Sequence, residues 1–253
     1  MSDIFAFCSV SISPLRAEPS DSSEMTSQLL FGETVLVLEH DRQWRKVKSL
    51  CDGYEGWTDE KCISSLTELE KNDWEGDKIL LFDSTLIIKS NEGNVLLTRG
   101  CFISSKQKSF SIGKFNFWRT APIESCQNNI VSIAKTYLNT PYLWGGKTIF
   151  GIDCSGFTQM VYRFKEIYIG RDASSQSTEG KSIPFAEKQA GDLAFFINSL
   201  GNIHHVGIIL DDNKIIHAHG WLRIDKLDIQ GIKHRNNIDY SHHLETIKTF
   251  MPI

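Results

Sequence analysis

The chain is 253 residues long, 41% hydrophobic and 23% charged, with a formal net charge of −4. That is the composition of a folded protein with one large domain or a few small ones. The weakly acidic balance supplies no electrostatic footprint for nucleic acid or for an anionic membrane surface, so neither is expected as a partner.

No apolar run reaches the roughly 20 residues of a spanning helix. The N-terminal stretch MSDIFAFCSVSISPLR lacks a basic region, and Ser and Asp break its apolar residues. No signal peptide is therefore expected, and the protein is placed in the cytoplasm. The six cysteines (8, 51, 62, 101, 126 and 154) are scattered and contain no C-x-x-C pair. Neither a disulfide framework nor a cysteine zinc site is expected.

In chain order, residues 1–66 hold short strand-like runs, SVSISPL, ETVLVLE, WRKVKSL and GYEGWTDEKCI, with a polar loop at 18–24. Residues 67–121 repeat the style in KILLF, TLIIKS, NVLLTRG and FNFWRT, which suggests a duplicated β-module. From 122 the pattern changes. Ile130, Ile133, Ala134, Tyr137 and Leu138 fall at helical spacing, and Asn139-Thr140-Pro141 ends that helix. A glycine-bearing loop, WGGKTIFGID, leads into a second helix from about Cys154. Phe157, Met160, Val161 and Phe164 mark one face of it. A polar loop at 170–182 precedes three strands, DLAFFI, HVGIIL and KIIHAHG. Helices followed by consecutive antiparallel strands make an α+β domain over 122–253.

Cys154 falls in the first turn of its helix, where unpaired backbone N–H groups and the helix dipole favour an anion. Its thiol pKa is expected to fall below the free value. Asp153 is positioned to cap the helix. Cysteine is also a common core residue, so these residues alone leave nucleophile and core thiol both open.

A nucleophilic thiol needs a base and a group that orients the base. Seven of the eight histidines follow residue 200. With a turn at Asp211-Asp212-Asn213, His205 faces His219 directly and His217 diagonally. His204 points to the opposite face. The hairpin thus offers a base and an orienting histidine, with His217 and His219 both candidates. A metal reading of His217-x-His219 with His204-His205 also exists. No carboxylate has H-E-x-x-H spacing, however, and no metal is expected.

The run TPYLWGGKTIFGIDCSGFTQMVYR, then HHVGIIL and IIHAHG, closely resembles the NlpC-type cysteine peptidases. The resemblance implies a papain-like α+β domain in which Cys154 is the nucleophile and His205 the base. It makes His217 the third residue and puts Tyr142 near the oxyanion site. Trp144, Asp153 and Ser155 become candidate substrate contacts. Arg171 and Asp172 become candidate substrate contacts too, Arg171 as a partner for a substrate carboxylate.

The N-terminal half looks like a bacterial SH3-like domain over 1–66, followed by a divergent second one over 67–121. Two such domains before an NlpC-type domain resemble the γ-D-glutamyl-L-diamino acid endopeptidases. The implied substrate is a small murein peptide, L-Ala-γ-D-Glu-diamino acid, with a free N-terminal amine. Glu24 (or Glu18) and Tyr54 are the best matches for the groups that meet that amine. The implied enzyme needs no cofactor, works as a monomer and serves cell-wall peptide recycling. A non-catalytic peptide-binding module and an amidase or acyltransferase on the same scaffold are the alternatives.

Overall fold

The computed structural model describes residues 4–126, 129–211, 213–233 and 239–250. Residues 1–3 of the N-terminal stretch, and Asp212 of the expected turn, lie outside the described residues. The chain divides into two compact units, Met1–Cys126 and Gln127–Ile253.

In the first unit, a seven-stranded antiparallel sheet spans residues 4–66. Its spatial order is Met25–Leu30, Ile12–Arg16, Glu55–Asp59, Trp44–Ser49, Thr34–Asp41, Ile4–Cys8 and Ile63–Leu66. Ala6, Cys8, Leu15, Leu29, Val35 and Val47 form its core, and Tyr54 packs against them. The loop expected at 18–24 carries no helix or strand.

Residues 67–126 differ from a second copy of that sheet. They open with helix α1 (Glu68–Asp77) and continue as a two-stranded and a four-stranded sheet. Strands Phe102–Ser104 and Ser109–Ile112 join the runs read from the sequence. The signal for α1 was the Thr67-x-x-Glu70 capping box, whose two reciprocal bonds both form. Trp74 is the buried residue of α1, so the helix has no apolar stripe to read. The Trp74 indole N–H donates to the Gly32 carbonyl at 2.8 Å. Phe31 packs edge-on against Phe117, and Phe7 against Phe115, joining the two halves of this unit in one aromatic core.

The second unit is built on a seven-stranded antiparallel sheet. It runs Lys181–Ile183, Tyr240–Thr249, Leu193–Ile197, Ile203–Leu210, Lys214–His219, Trp221–Asp228 and Gly231–Lys233. Tyr240–Thr249 also pairs with Gly231–Lys233, which closes the sheet on itself. Helix α2 (Ile130–Lys135) ends in turns through Asn139, whose φ of +69° suits a left-handed stop.

Helix α3 (Cys154–Arg163) starts where the sequence places it. It is buried on every side rather than on one face. Two of its polar side chains bond inside the domain: Thr158 Oγ1 donates to Gln176 Oε1 at 2.7 Å, and Gln159 Nε2 donates to the Ile169 carbonyl at 3.1 Å. The expected polar loop at 170–182 instead holds a short helix, α4 (Ala173–Thr178), and the strand Lys181–Ile183. Gln176 on α4 donates to the carbonyls of Ser155 (3.0 Å) and Gly170 (2.8 Å), clamping α4 to the start of α3. No apolar period announces such a clamp, because α4 buries only Ala173 and the polar Gln176.

Candidate active site

Asp153 organises the entrance to α3. Its side chain accepts from the Gly156 N–H at 2.6 Å, capping the helix, and from the Gly145 N–H of the WGG loop at 2.8 Å. Arg171 forms a two-pronged ion pair with it, Nη2 to Oδ2 at 2.6 Å and Nη1 to Oδ1 at 3.0 Å. Nη1 also donates to Ser155 Oγ at 3.0 Å. Arg171 is only 3% exposed, whereas Asp172 next to it is exposed. The two neighbours therefore separate, Arg171 to the thiol's surroundings and Asp172 to the surface.

The glycines of this motif are required by close backbone approach. A Cβ on Gly156 would strike the Gly146 carbonyl and come within 2.9 Å of Asp153 Oδ1. A Cβ on Gly146 would strike the Gly151 carbonyl. Gly156→Ala is expected to cost about 1–3 kcal/mol of stability by forcing the WGG loop off the helix start. Chemical denaturation of the purified protein checks this, and an unchanged midpoint would contradict it.

Cys154 is buried, at 6% exposure. Its sulfur takes backbone hydrogen bonds from Ser155 and from Val206, the residue after His205. The structure corrects the expected low thiol pKa. Burial first, and then the nearby Asp153 carboxylate, push it up to about 12 against the smaller favourable pull of those amides and Arg171.

The hairpin that carries the histidines has the register the turn implied: Gly207 faces His217 and Ile208 faces Ile216. His205 Nε2 lies 2.8 Å from His217 Nδ1. His217, rather than His219, is thus hydrogen-bonded to His205. Beyond it, His217 Nε2 lies 3.1 Å from Asp225 Oδ2, and Arg223 Nε donates to the same oxygen at 2.6 Å.

This chain assigns the protons. The carboxylate can only accept, so His217 carries its proton on Nε2 and presents a bare Nδ1. His205 must then donate from Nε2, which leaves its Nδ1 bare. Burial holds both imidazoles neutral, His205 well below its ordinary value and His217 lowered despite the pull of Asp225. Asp225 and Arg223 were absent from the sequence reading. They sit on a strand, Trp221–Asp228, whose position beside Lys214–His219 no local pattern declares.

His204 does not point away as strict alternation predicts. The pairing slips between Phe196 and Ile197, leaving His204 as the extra residue of a bulge. Its ring stacks at 5.7 Å on His242, which in turn stacks at 4.2 Å on His205. His219 approaches His242 edge-on at 4.9 Å.

Tyr142 is 36% exposed, and desolvation of its hydroxyl, then the Cys154 and Asp153 charges, raise its pKa. Its backbone N–H is held by the Gly220 carbonyl at 3.0 Å. Trp144 is 57% exposed. Glu24 and Tyr54 belong to the first unit, Glu24 exposed and Tyr54 packed on the core there.

Comparison with known proteins matches the NlpC/P60 family to residues 139–239 and a bacterial dipeptidyl-peptidase Sh3 domain to residues 15–62. The chain is 30% identical over 214 residues to a gamma-D-glutamyl-L-lysine dipeptidyl-peptidase from Bacillus subtilis (strain 168), covering 76% of this chain and 71% of that one. It is 26% identical over 259 residues to dipeptidyl-peptidase 6 of Lysinibacillus sphaericus, covering 88% and 92%. Its fold is similar to an NlpC/P60 family protein from Bacillus cereus ATCC 10987, with a TM-score of 0.80 over 98% of this chain and 100% of that one, at 23% identity. Identity spread over most of both chains, and a family match across the thiol and its histidines, place the kinship beyond the site itself: this chain belongs to the NlpC/P60 family of cysteine peptidases and carries a bacterial SH3-type domain ahead of its peptidase unit.

Proposed function

We propose that the protein is a cysteine endopeptidase that hydrolyses the bond between γ-D-glutamate and a diamino acid in murein peptides with a free N-terminal L-alanine. The observation that carries this reading is the chain from Asp225 through His217 to His205, which leaves one ring nitrogen of His205 bare, while the backbone N–H of Val206, next to His205 in sequence, donates to the Cys154 sulfur. In the first step His205 Nδ1 takes the thiol proton as sulfur attacks the γ-carbonyl carbon. The Cys154 N–H and the Tyr142 hydroxyl stabilise the resulting oxyanion. His205 returns the proton to the departing amine, and water then hydrolyses the thioester. The imidazolium formed midway is stabilised by His217 and, behind it, by the Asp225 carboxylate.

The likeness to a gamma-D-glutamyl-L-lysine dipeptidyl-peptidase of Bacillus subtilis and to a bacterial dipeptidyl-peptidase Sh3 domain supports the substrate class. In this reading Glu24 (or Glu18) and Tyr54 meet the ammonium of L-alanine, and residues 67–121 are a divergent second SH3-like domain. Arg171 steadies Asp153 and Ser155 for substrate polar groups. The protein acts as a monomer, without a cofactor, on peptides recovered in the cytoplasm. Among the described residues no helix is long and apolar enough to cross a membrane.

The test is a pair of tripeptides, L-Ala-γ-D-Glu-diamino acid with a free and with an acetylated amine, made with lysine and with diaminopimelate. Release of L-Ala-D-Glu from the free form, with the acetylated form resistant, is expected. Equal cleavage of both forms would point to the amidase reading, and binding without cleavage to the non-catalytic one.

A further inference from the structure

His205, His217 and His242 each bring one ring nitrogen within 4.8 Å of the others, and all three side chains are buried. His242 lies beside the hydrogen-bonded chain and outside it. Its Nδ1 is 2.9 Å from Ser241 Oγ, and that hydroxyl donates to the Ile232 carbonyl at 3.2 Å. With the hydroxyl proton so committed, His242 Nδ1–H is the donor and Nε2 is bare. His217 is braced from behind by Asp225, the carboxylate–imidazole arrangement that accompanies metal-bound histidine.

We propose that His205, His217 and His242 form a binding site for a borderline divalent cation such as Zn2+, and that the bound cation silences the thiol–histidine chemistry. Imidazole suits zinc and its neighbours in the first transition row, whereas the hard cations prefer oxygen. Three nitrogens about 2.0–2.1 Å from one zinc stand about 3.3 Å apart, so the rings need to open the His205–His217 pair slightly and draw His242 in. Exposed His204, stacked on His242, marks the solvent side from which a cation reaches the site.

The inhibition follows from the proton count. Zinc on His205 Nε2 and His217 Nδ1 takes the place of the proton between them. His205 retains a single proton only by carrying it on Nδ1, the atom that must be bare to accept from Cys154. The cation therefore removes the base without touching the thiol.

The experiment begins with the full chain bearing Cys154→Ala, so that the thiol cannot be the ligand. Zn2+ competition against a chromophoric chelator is expected to show one cation per chain. His242→Gln in the same background is expected to weaken binding at least about tenfold. In the active protein, Zn2+ is expected to inhibit reversibly on chelation. His242→Gln alone is expected to keep turnover and raise the inhibiting concentration by a similar factor. The inhibition arm rests on the peptidase reading; the binding arm does not, so the two fail separately. No binding to Cys154→Ala, or equal affinity with and without His242, would overturn the site. Should His242→Gln fail to fold, Co2+ added to Cys154→Ala decides the matter. Tetrahedral visible bands with shifted imidazole N–H resonances support the site, and the spectrum of hydrated Co2+ overturns it.

Discussion

Asp225→Ala is expected to lower kcat about 100-fold while leaving KM near its wild-type value. The carboxylate touches neither thiol nor substrate; it acts through His217. Its Oδ2 takes both the His217 Nε2 proton and the Arg223 Nε proton. Without it, nothing holds the His217 proton on Nε2, and His217 can rotate its proton to Nδ1. His205 Nε2 must then accept, its own proton moves to Nδ1, and the base is gone.

Asp225→Asn discriminates this account from simple loss of packing. Neither Arg223 Nε nor His217 Nε2–H can accept, so the asparagine oxygen is drawn to the place of Oδ2. Both tautomers survive and only the charge behind the imidazolium is lost. The expected fall in kcat is about tenfold, clearly smaller than for alanine. Steady-state kinetics on the two variants, with thermal melts to confirm folding, make the comparison. Equal losses in both would show that Asp225 does not set the protons.

Arg171→Ala is expected to destabilise the protein by about 3–5 kcal/mol, because it strands Asp153 as an uncompensated buried charge. The side chains of this pair are 1% and 6% exposed, so water offers little relief. Asp153 also accepts from the Gly156 amide on Oδ1 and the Gly145 amide on Oδ2, so Asp153→Asn turns one of these acceptors into a donor and is expected to destabilise the protein as well. The double variant Asp153→Asn with Arg171→Ala is expected to recover part of the loss, giving a coupling of at least about 1 kcal/mol in a denaturation cycle. Additive losses would mean the pair contributes nothing as a pair. A functional readout accompanies it. Arg171 pulls the Cys154 thiol pKa down, and Asp153 pushes it up. Thiol alkylation of Arg171→Ala, measured where it remains folded, is expected to be slower than in the parent protein.

Local chemistry was legible wherever it is local. The helix start at Cys154 was written in Asp153 and the apolar residues after it. The hairpin register was written in the spacing of HVGIIL and KIIHAHG, and it placed His217 within reach of His205. The hairpin spacing alone leaves His219 as an equal partner; the family resemblance favours His217, and the 2.8 Å contact joins His217 to His205. The first β-module was read as strands, but helix α1 was missed, because its buried residue is a single tryptophan. Helix α4 carries no legible stripe, because it buries only Ala173 and the polar Gln176, too few apolar residues to make a hydrophobic period.

What the sequence by itself determined is therefore the set of groups and their order: a thiol at a helix N-terminus, glycines that let a loop approach it, and two histidines on one hairpin. These follow from spacing, which the chain carries with it. Tertiary structure decided their charge and their partners. The helix start alone argues for an acidic thiol, yet burial and Asp153 raise its pKa to about 12. Asp225 stands behind His217 because a later strand pairs with the hairpin, and His242 reaches His205 from a strand more than 30 positions away. Desolvation and contacts between distant strands exist only once the chain has folded, so no run of neighbouring residues could announce them.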